Sequence, residues 1–277
     1  MPGGVKRTGT IARRTTRMFS PLASIIFPGS ATQGRREAMV HPAPGQELLP
    51  LTARDGTKIA ALLAMGQDPG GPAPRGQDRP TVLFFYGNAM CLAHCGDLLD
   101  ELRPLGFNVV IGDYPGYGMS DGRPSEAGCY AAADALYEHV LGRADIDRGK
   151  IVAAGWSLGA AVAIDLASRR RVAGLAAFSA FTSSAALARR IVPWLPVSLL
   201  LRGQFDSLTK IAKVSCPIML VHGGRDELIP ARMSDRLAQA ATTRVFRIRV
   251  DDAGHNDLFA IGGARLMQQF KQFVDQL

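Results

Sequence analysis

Lys150-Ile151-Val152-Ala153-Ala154, then Gly155-Trp156-Ser157-Leu158-Gly159, then Ala160-Ala161-Val162-Ala163-Ile164 reads as a strand, a tight turn and a helix. After Lys150 the first run is short and wholly apolar, as expected of a strand covered on both faces. A Gly-x-Ser-x-Gly turn at that junction is a nucleophile elbow. The turn is so tight that the residues two before and two after the serine must lack bulk, and Gly155 and Gly159 satisfy this. It lifts the Ser157 hydroxyl above the sheet, at a helix N-terminus whose dipole favours anionic charge.

Working outward, runs of the same character recur at Thr81–Tyr86, Phe107–Gly112, Val172–Ser179, Pro217–Val221 and Val245–Val250. Glu47–Thr52 and Lys58–Ala64 read as a hairpin about Arg54-Asp55-Gly56-Thr57, since Asp-Gly is a strong turn signal. Between the later strands lie predicted helices over Ala89–Leu105, Ser125–Gly142, Ala160–Arg171, Ala231–Ala240 and Ala264–Leu277. Gly66–Pro80, rich in Gly and Pro, reads as an exposed loop. Strands alternating with helices imply right-handed crossovers and a mainly parallel sheet covered on both faces. The expectation is an α/β fold of eight strands: a basic tail and lead-in over 1–44, then one domain over 45–277. Ligands of such sheets bind beyond the carboxyl ends of the strands.

A serine hydroxyl needs a base to take its proton, and the base needs a partner to fix its tautomer. After the last strand stands Ala253-Gly254-His255, and after the seventh stands His222-Gly223-Gly224-Arg225-Asp226. Ser157, Asp226 and His255 thus form a candidate triad in the chain order Ser, Asp, His, each member following a different strand. Asp251 and Asp252 are competing acids but lie too near His255 in sequence to be preferred. Of the other histidines, His41 and His139 read as solvated, His94 as lying on the helix after the third strand, and His222 as support for the acid loop. For the oxyanion hole, one backbone N–H would come from Leu158 and the other from the turn Tyr86-Gly87-Asn88-Ala89. Asn88 is preferred there and Ala89 comes second.

Phe85-Tyr86-Gly87-Asn88-Ala89 resembles the His-Gly-Asn-Ala run of a sub-group of alpha/beta hydrolase domain-containing proteins, which includes the Bem-type hydrolases and protein depalmitoylases. Asp113-Tyr114-Pro115-Gly116-Tyr117-Gly118-Met119-Ser120-Asp121-Gly122 is similar to their Asp-Tyr-x-Gly-x-Gly-x-Ser-x-Gly loop. Phe205-Asp206-Ser207-Leu208, Cys216-Pro217 and the Gly-x-x-Asp of 223–226 continue the likeness across residues 45–277. The resemblance implies the α/β-hydrolase fold with a minimal cap and a serine esterase or thioesterase activity. Tyr86 departs from the pattern, standing where the family has His.

The net charge of +8 is unevenly placed. Residues 1–36 hold Lys6, Arg7, Arg13, Arg14, Arg17, Arg35 and Arg36, and no acid precedes Glu37. Removing those seven leaves 25 basic against 24 acidic side chains, so the body is near neutral and offers no phosphate-binding face; no nucleic-acid partner is expected. The apolar patch Met18–Phe27 is broken by Pro21 and far shorter than the ~20 residues of a membrane span. It reads as a segment packed on the domain, or, with the basic residues, as a peripheral contact with anionic membrane through residues 1–36, or as an acid-poor organelle transit peptide.

Four cysteines suit a reducing compartment, so a cytoplasmic location is expected, with the tail allowing contact at the inner membrane surface. Cys91 and Cys95 flank His94 but lack a fourth ligand at metal spacing, and residues 112–122 form no phosphate or dinucleotide loop; neither metal nor cofactor is expected. Arg169-Arg170-Arg171 closes a helix, where cations suit the dipole. The apolar stretch Leu187–Leu201, in the position of a lid, reads equally as core filling or as an acyl-chain wall. The expected substrate is a small-molecule or lipid acyl ester or thioester. A peptidase on the same triad and a non-catalytic binding protein are the alternatives, and the oligomeric state is left open.

Overall fold

A computed structural model describes residues 27–67, 79–191, 201 and 204–277. Eight strands form one sheet: β1 (Gln46–Thr52), β2 (Lys58–Ala64), β3 (Thr81–Phe85), β4 (Asn108–Gly112), β5 (Ile151–Trp156), β6 (Gly174–Phe178), β7 (Ile218–Gly223) and β8 (Val245–Val250). Their order is β1-β2-β4-β3-β5-β6-β7-β8. The β1–β2 and β2–β4 pairs are antiparallel, and every later pair is parallel. Strands β3, β4, β6 and β7 are buried along their whole length, which explains why their sequences are continuous apolar runs rather than alternating ones.

The helices are α1 (Gly96–Leu102), α2 (Glu126–Gly142), α3 (Leu158–Arg169), α4 (Ser184–Ile191), α5 (Ser207–Ile211), α6 (Arg232–Ala240) and α7 (Leu258–Val274). Helices α4 and α5 have no counterpart among the predicted ones, and two of the predicted helices depart from expectation. The helix predicted from Ala89 begins only at Gly96, after a 3-10 turn over Leu92–Cys95. Ala89 adopts a left-handed φ of 66°, and the Leu92 N–H bonds Asp113, so the intervening residues are held by the neighbouring loop instead. The last helix starts six residues before its predicted Ala264 and is broken at Gly263, φ 48°.

His139, read as solvated, is half-buried on α2. Its Nε2 is buried without a hydrogen-bond partner, and burial, with Arg143 nearby, lowers its pKa. The arginines closing α3 pair with acids: Arg169 with Asp165 and Asp134, Arg170 with Asp134 and Glu138.

After β4 the chain returns to pair beyond β3 on the other side, so the strand order reverses between β3 and β5. The crevice of such a sheet lies beyond the carboxyl ends of those two strands. Tyr86–Leu92 leads off one of them and Ser157 off the other. Phe27, the last residue of the apolar patch, is buried against Phe205, ring centroids 6.3 Å apart. The basic tail up to residue 26 and the core of the predicted acyl wall, 192–200, lie outside the described residues. No helix among the described residues is long and apolar enough to cross a membrane.

Candidate active site

Ser157 sits between β5 and α3 with φ 56° and ψ −114°, a conformation that costs a non-glycine residue energy and that the surroundings must impose. They do so by close approach. A Cβ at Gly159 would lie 1.8 Å from the Phe85 carbonyl oxygen, and one at Gly155 would lie 2.2 Å from the Gly159 carbonyl oxygen. Only glycine at both positions lets α3 pack this tightly on the sheet. The Ser157 N–H donates to Phe178 O at 2.9 Å, fixing the turn to β6. Leu158 opens α3, so its N–H has no acceptor within the helix.

His255 Nε2 lies 3.0 Å from Ser157 Oγ, and Nδ1 lies 2.8 Å from Asp226 Oδ2. A carboxylate can only accept, so Nδ1 carries the proton and Nε2 presents its lone pair to the serine hydroxyl. The Asp226 carboxyl is 0% exposed. Burial by itself would raise its pKa. Contacts from His222 and His255 and the Ile229 N–H bond at 2.7 Å outweigh burial and hold it well below the usual carboxylate range.

His222 Nε2 donates to Ile229 O at 2.6 Å and lies 3.4 Å from Asp226 Oδ2, while Nδ1 meets Ser234 Oγ at 2.6 Å. His222 therefore closes the acid loop, as its position at the end of the seventh strand suggested. The acid and base loops are also stapled through backbone: Gly224 N–H to Val250 O, and Arg225 N–H to Ala253 O, both 2.8 Å. Asp251 and Asp252 face outward, paired with Arg249 and Arg225 respectively.

Two residues of this region carried no role in the sequence reading. The Trp156 ring lies 5.2 Å from that of His255, tilted by 31°, and walls one face of the imidazole. Asp113, at the end of β4, is fully buried and accepts from Leu92 N–H (2.7 Å), Met119 N–H (2.8 Å) and Tyr86 Oη (3.0 Å). Tyr86, the departure from the family pattern, has its hydroxyl occupied twice, since it also accepts from Tyr114 N–H at 3.1 Å. Burial still keeps the Asp113 carboxyl above its ordinary pKa, despite these donors. A buried acid beside a Tyr-Gly-Asn turn was the available signal, but its partners come from distant sequence.

Asn88 accepts two bonds at Oδ1, from Tyr117 Oη (2.7 Å) and from the Ala89 N–H (3.1 Å). That commits the Ala89 N–H within the turn. Among the described residues no cluster of His, Cys, Asp or Glu is placed to hold a metal ion. The Cys91 N–H donates to His94 Nδ1 at 3.2 Å.

A serine, histidine and aspartate in hydrogen-bond sequence at the carboxyl edge of a mostly parallel, doubly covered sheet define the class: a hydrolase of the doubly wound α/β kind. Residues 80–199 match the family described as alpha/beta hydrolase fold. The chain is 38% identical over 205 residues to an uncharacterized protein of Mycobacterium tuberculosis, covering 74% of this chain and 73% of that one. It is 32% identical over 201 residues to alpha/beta hydrolase domain-containing protein 17C of Mus musculus, covering 71% of this chain and 60% of the relative. Among solved structures, an alpha-beta hydrolase from Vibrio vulnificus superposes with a TM-score of 0.71 at 20% identity, covering 98% and 99% of the two chains. The Pyrococcus furiosus esterase Pf2001 does so with 0.70 at 18%, covering 86% and 95%. The protein belongs to the α/β-hydrolase superfamily.

Proposed function

We propose that the protein is a serine hydrolase that cleaves acyl esters or thioesters through an acyl-enzyme. The observation that carries the reading is the unbroken relay Asp226–His255–Ser157, at 2.8 and 3.0 Å, ending on a serine held at φ 56°. In this mechanism Ser157 Oγ attacks the acyl carbonyl while His255 Nε2 takes its proton. Asp226 keeps the ring in the Nδ1–H tautomer and stabilises the imidazolium. The carbonyl oxygen, now an oxyanion, is met by the backbone N–H groups of Leu158 and Asn88. Collapse of the tetrahedral intermediate breaks the bond to the leaving alkoxide or thiolate, which receives the proton from His255. Water, deprotonated by the same histidine, then repeats the attack and frees Ser157.

A cavity of about 390 Å³ has Phe84, Met90, Leu98, Trp156 and Phe259 on its apolar side, which suits an acyl or alkyl group, and His94, Asp97, Glu101 and Asn256 as its polar lining. Met90 follows the turn Tyr86–Ala89, and Trp156 and Asn256 neighbour Ser157 and His255 in sequence, so the cavity lies beside the triad, whose own three residues are not among its lining. Each methylene buried there would be worth about 0.8 kcal/mol.

The test is covalent labelling with a fluorophosphonate, followed by p-nitrophenyl esters of rising chain length beside acyl-thioesters. Wild type is expected to label, Ser157→Ala is expected not to, and turnover should rise from acetyl to longer chains. Equal labelling of the two proteins removes the serine mechanism, and a preference for acetyl removes the apolar acyl site.

A further inference from the structure

The loop after β4 and the segment at 28–34 together make a device that the triad does not use. Asp113-Tyr114-Pro115-Gly116-Tyr117-Gly118 turns back on itself, with Gly116 at φ 81° and Gly118 at φ 46°. A Cβ at Gly118 would lie 2.1 Å from Asp113 Oδ2, so only glycine lets the loop wrap the carboxylate. The Tyr117 N–H donates to Tyr114 O at 3.0 Å, and the Ser120 N–H to Tyr117 O at 2.9 Å. The side chain of Tyr117 is buried, edge-on to Tyr114 with ring centroids 5.6 Å apart. Its hydroxyl reaches 29 residues back along the chain to Asn88 Oδ1.

The far side of Tyr117 is also fixed. Gly29 lies on the ring so closely that a Cβ there would be 2.0 Å from Tyr117 Cε1. Around it the Gly118 N–H donates to Thr32 Oγ1 at 2.9 Å, the Gly34 N–H to Gly118 O at 2.8 Å and Gln33 Nε2 to Ser120 O at 2.9 Å. The ring is thus pressed from one face, and its one polar atom is spent on Asn88. That acceptor also ties the Ala89 N–H, holding Ala89 at its left-handed φ.

We infer that Tyr117 is a positioning residue for the oxyanion turn: seated by the segment Pro28–Gly34, it holds the Asn88 side chain and through it the backbone of Asn88-Ala89. It touches no reacting atom. Its effect is on where the second oxyanion donor points, so it belongs to the transition state and not to substrate affinity. Burial keeps the phenol pKa far above its ordinary value, so the donor stays protonated at every working pH. The inference rests on the serine-hydrolase reading above.

The test uses the full chain, with kcat expressed per Ser157 titrated by fluorophosphonate, so that misfolded protein does not count. Tyr117→Phe keeps the ring and removes only the hydroxyl. It is expected to lower kcat about tenfold with KM within twofold, less than the ~100-fold loss of a whole oxyanion donor. Asn88→Ala should lower kcat at least as much, and adding Tyr117→Phe to it should cost nothing further, because the tyrosine acts through that side chain. Gly29→Ala, which pushes the ring from behind, should reproduce the loss of kcat with KM unchanged.

Full kcat in Tyr117→Phe overturns the proposal. So do losses that multiply in the double variant, or a rise in KM at constant kcat. Ser157→Ala with wild-type activity would instead remove the hydrolase reading itself. An inactive Ser157→Ala beside a fully active Tyr117→Phe removes only the positioning role.

Discussion

The two halves of the candidate site are built in opposite ways. On the acid–base side, each residue stands within a few positions of the end of its strand: Asp226 three after β7 and His255 five after β8. The local backbone does most of the positioning. On the oxyanion side, the turn after β3 is held by side chains that come from 27, 29 and 21 residues away: Asp113 to Tyr86, Tyr117 to Asn88 and Asp113 to Leu92. That loop is itself held by residues 86 and 87 positions away, in the Thr32 and Gln33 contacts. The contacts of the proposed relay join residues 29 and 98 apart, but each member is placed by the end of its own strand. A pair of backbone donors has no side-chain identity of its own, so its precision comes from what packs behind it.

Breaking the acid–base side should cost chemistry above all. His255→Ala is expected to lower kcat by about 10⁶-fold, since removal of one member of such a unit costs nearly as much as removal of all. Measured per folded molecule, a loss under tenfold would mean that another group takes the proton. Asp226→Asn should lower kcat about 10⁴-fold by favouring the wrong histidine tautomer. Activity retained in that variant would move the acid to another residue, although Asp251 and Asp252 are turned to Arg249 and Arg225.

Breaking the oxyanion side should cost structure as well. Asp113→Ala leaves the Leu92 and Met119 N–H groups and the Tyr86 hydroxyl without their shared acceptor, at about 3 kcal/mol or more of unfolding free energy. Urea unfolding measures this, and a change below about 1 kcal/mol would show that the network is not what holds the turn.

The smallest expected effect separates the halves by pH. The Asp226 pKa is lower in the fold than in the unfolded chain, so its carboxylate contributes stability that is fully present above the ordinary carboxyl value. That contribution is lost as pH falls through the ordinary range toward the folded value, with a slope of up to about 1.4 kcal/mol per pH unit. Asp113 is shifted the other way, so it does not produce that loss. Between pH 5 and pH 3, Asp226→Asn should lose less stability than wild type, and equal losses would assign the acid sensitivity elsewhere.

The sequence by itself determined the sheet, its eight strands and the three residues after β5, β7 and β8. Apolar runs and a Gly-x-Ser-x-Gly turn are local signals, and a parallel sheet gathers the ends of its strands at one edge whatever lies between them. Tertiary structure alone decided that Tyr86 bonds Asp113 rather than leaving a gap, that the helix after β3 starts at Gly96, and that Tyr117 reaches Asn88. These contacts join residues with no fixed spacing along the chain, and their geometry exists only once β3 and β4 lie side by side with the segment at 28–34 folded over them. Ser157 could be read from its neighbours in sequence, but the turn that faces it could be read only from its neighbours in space.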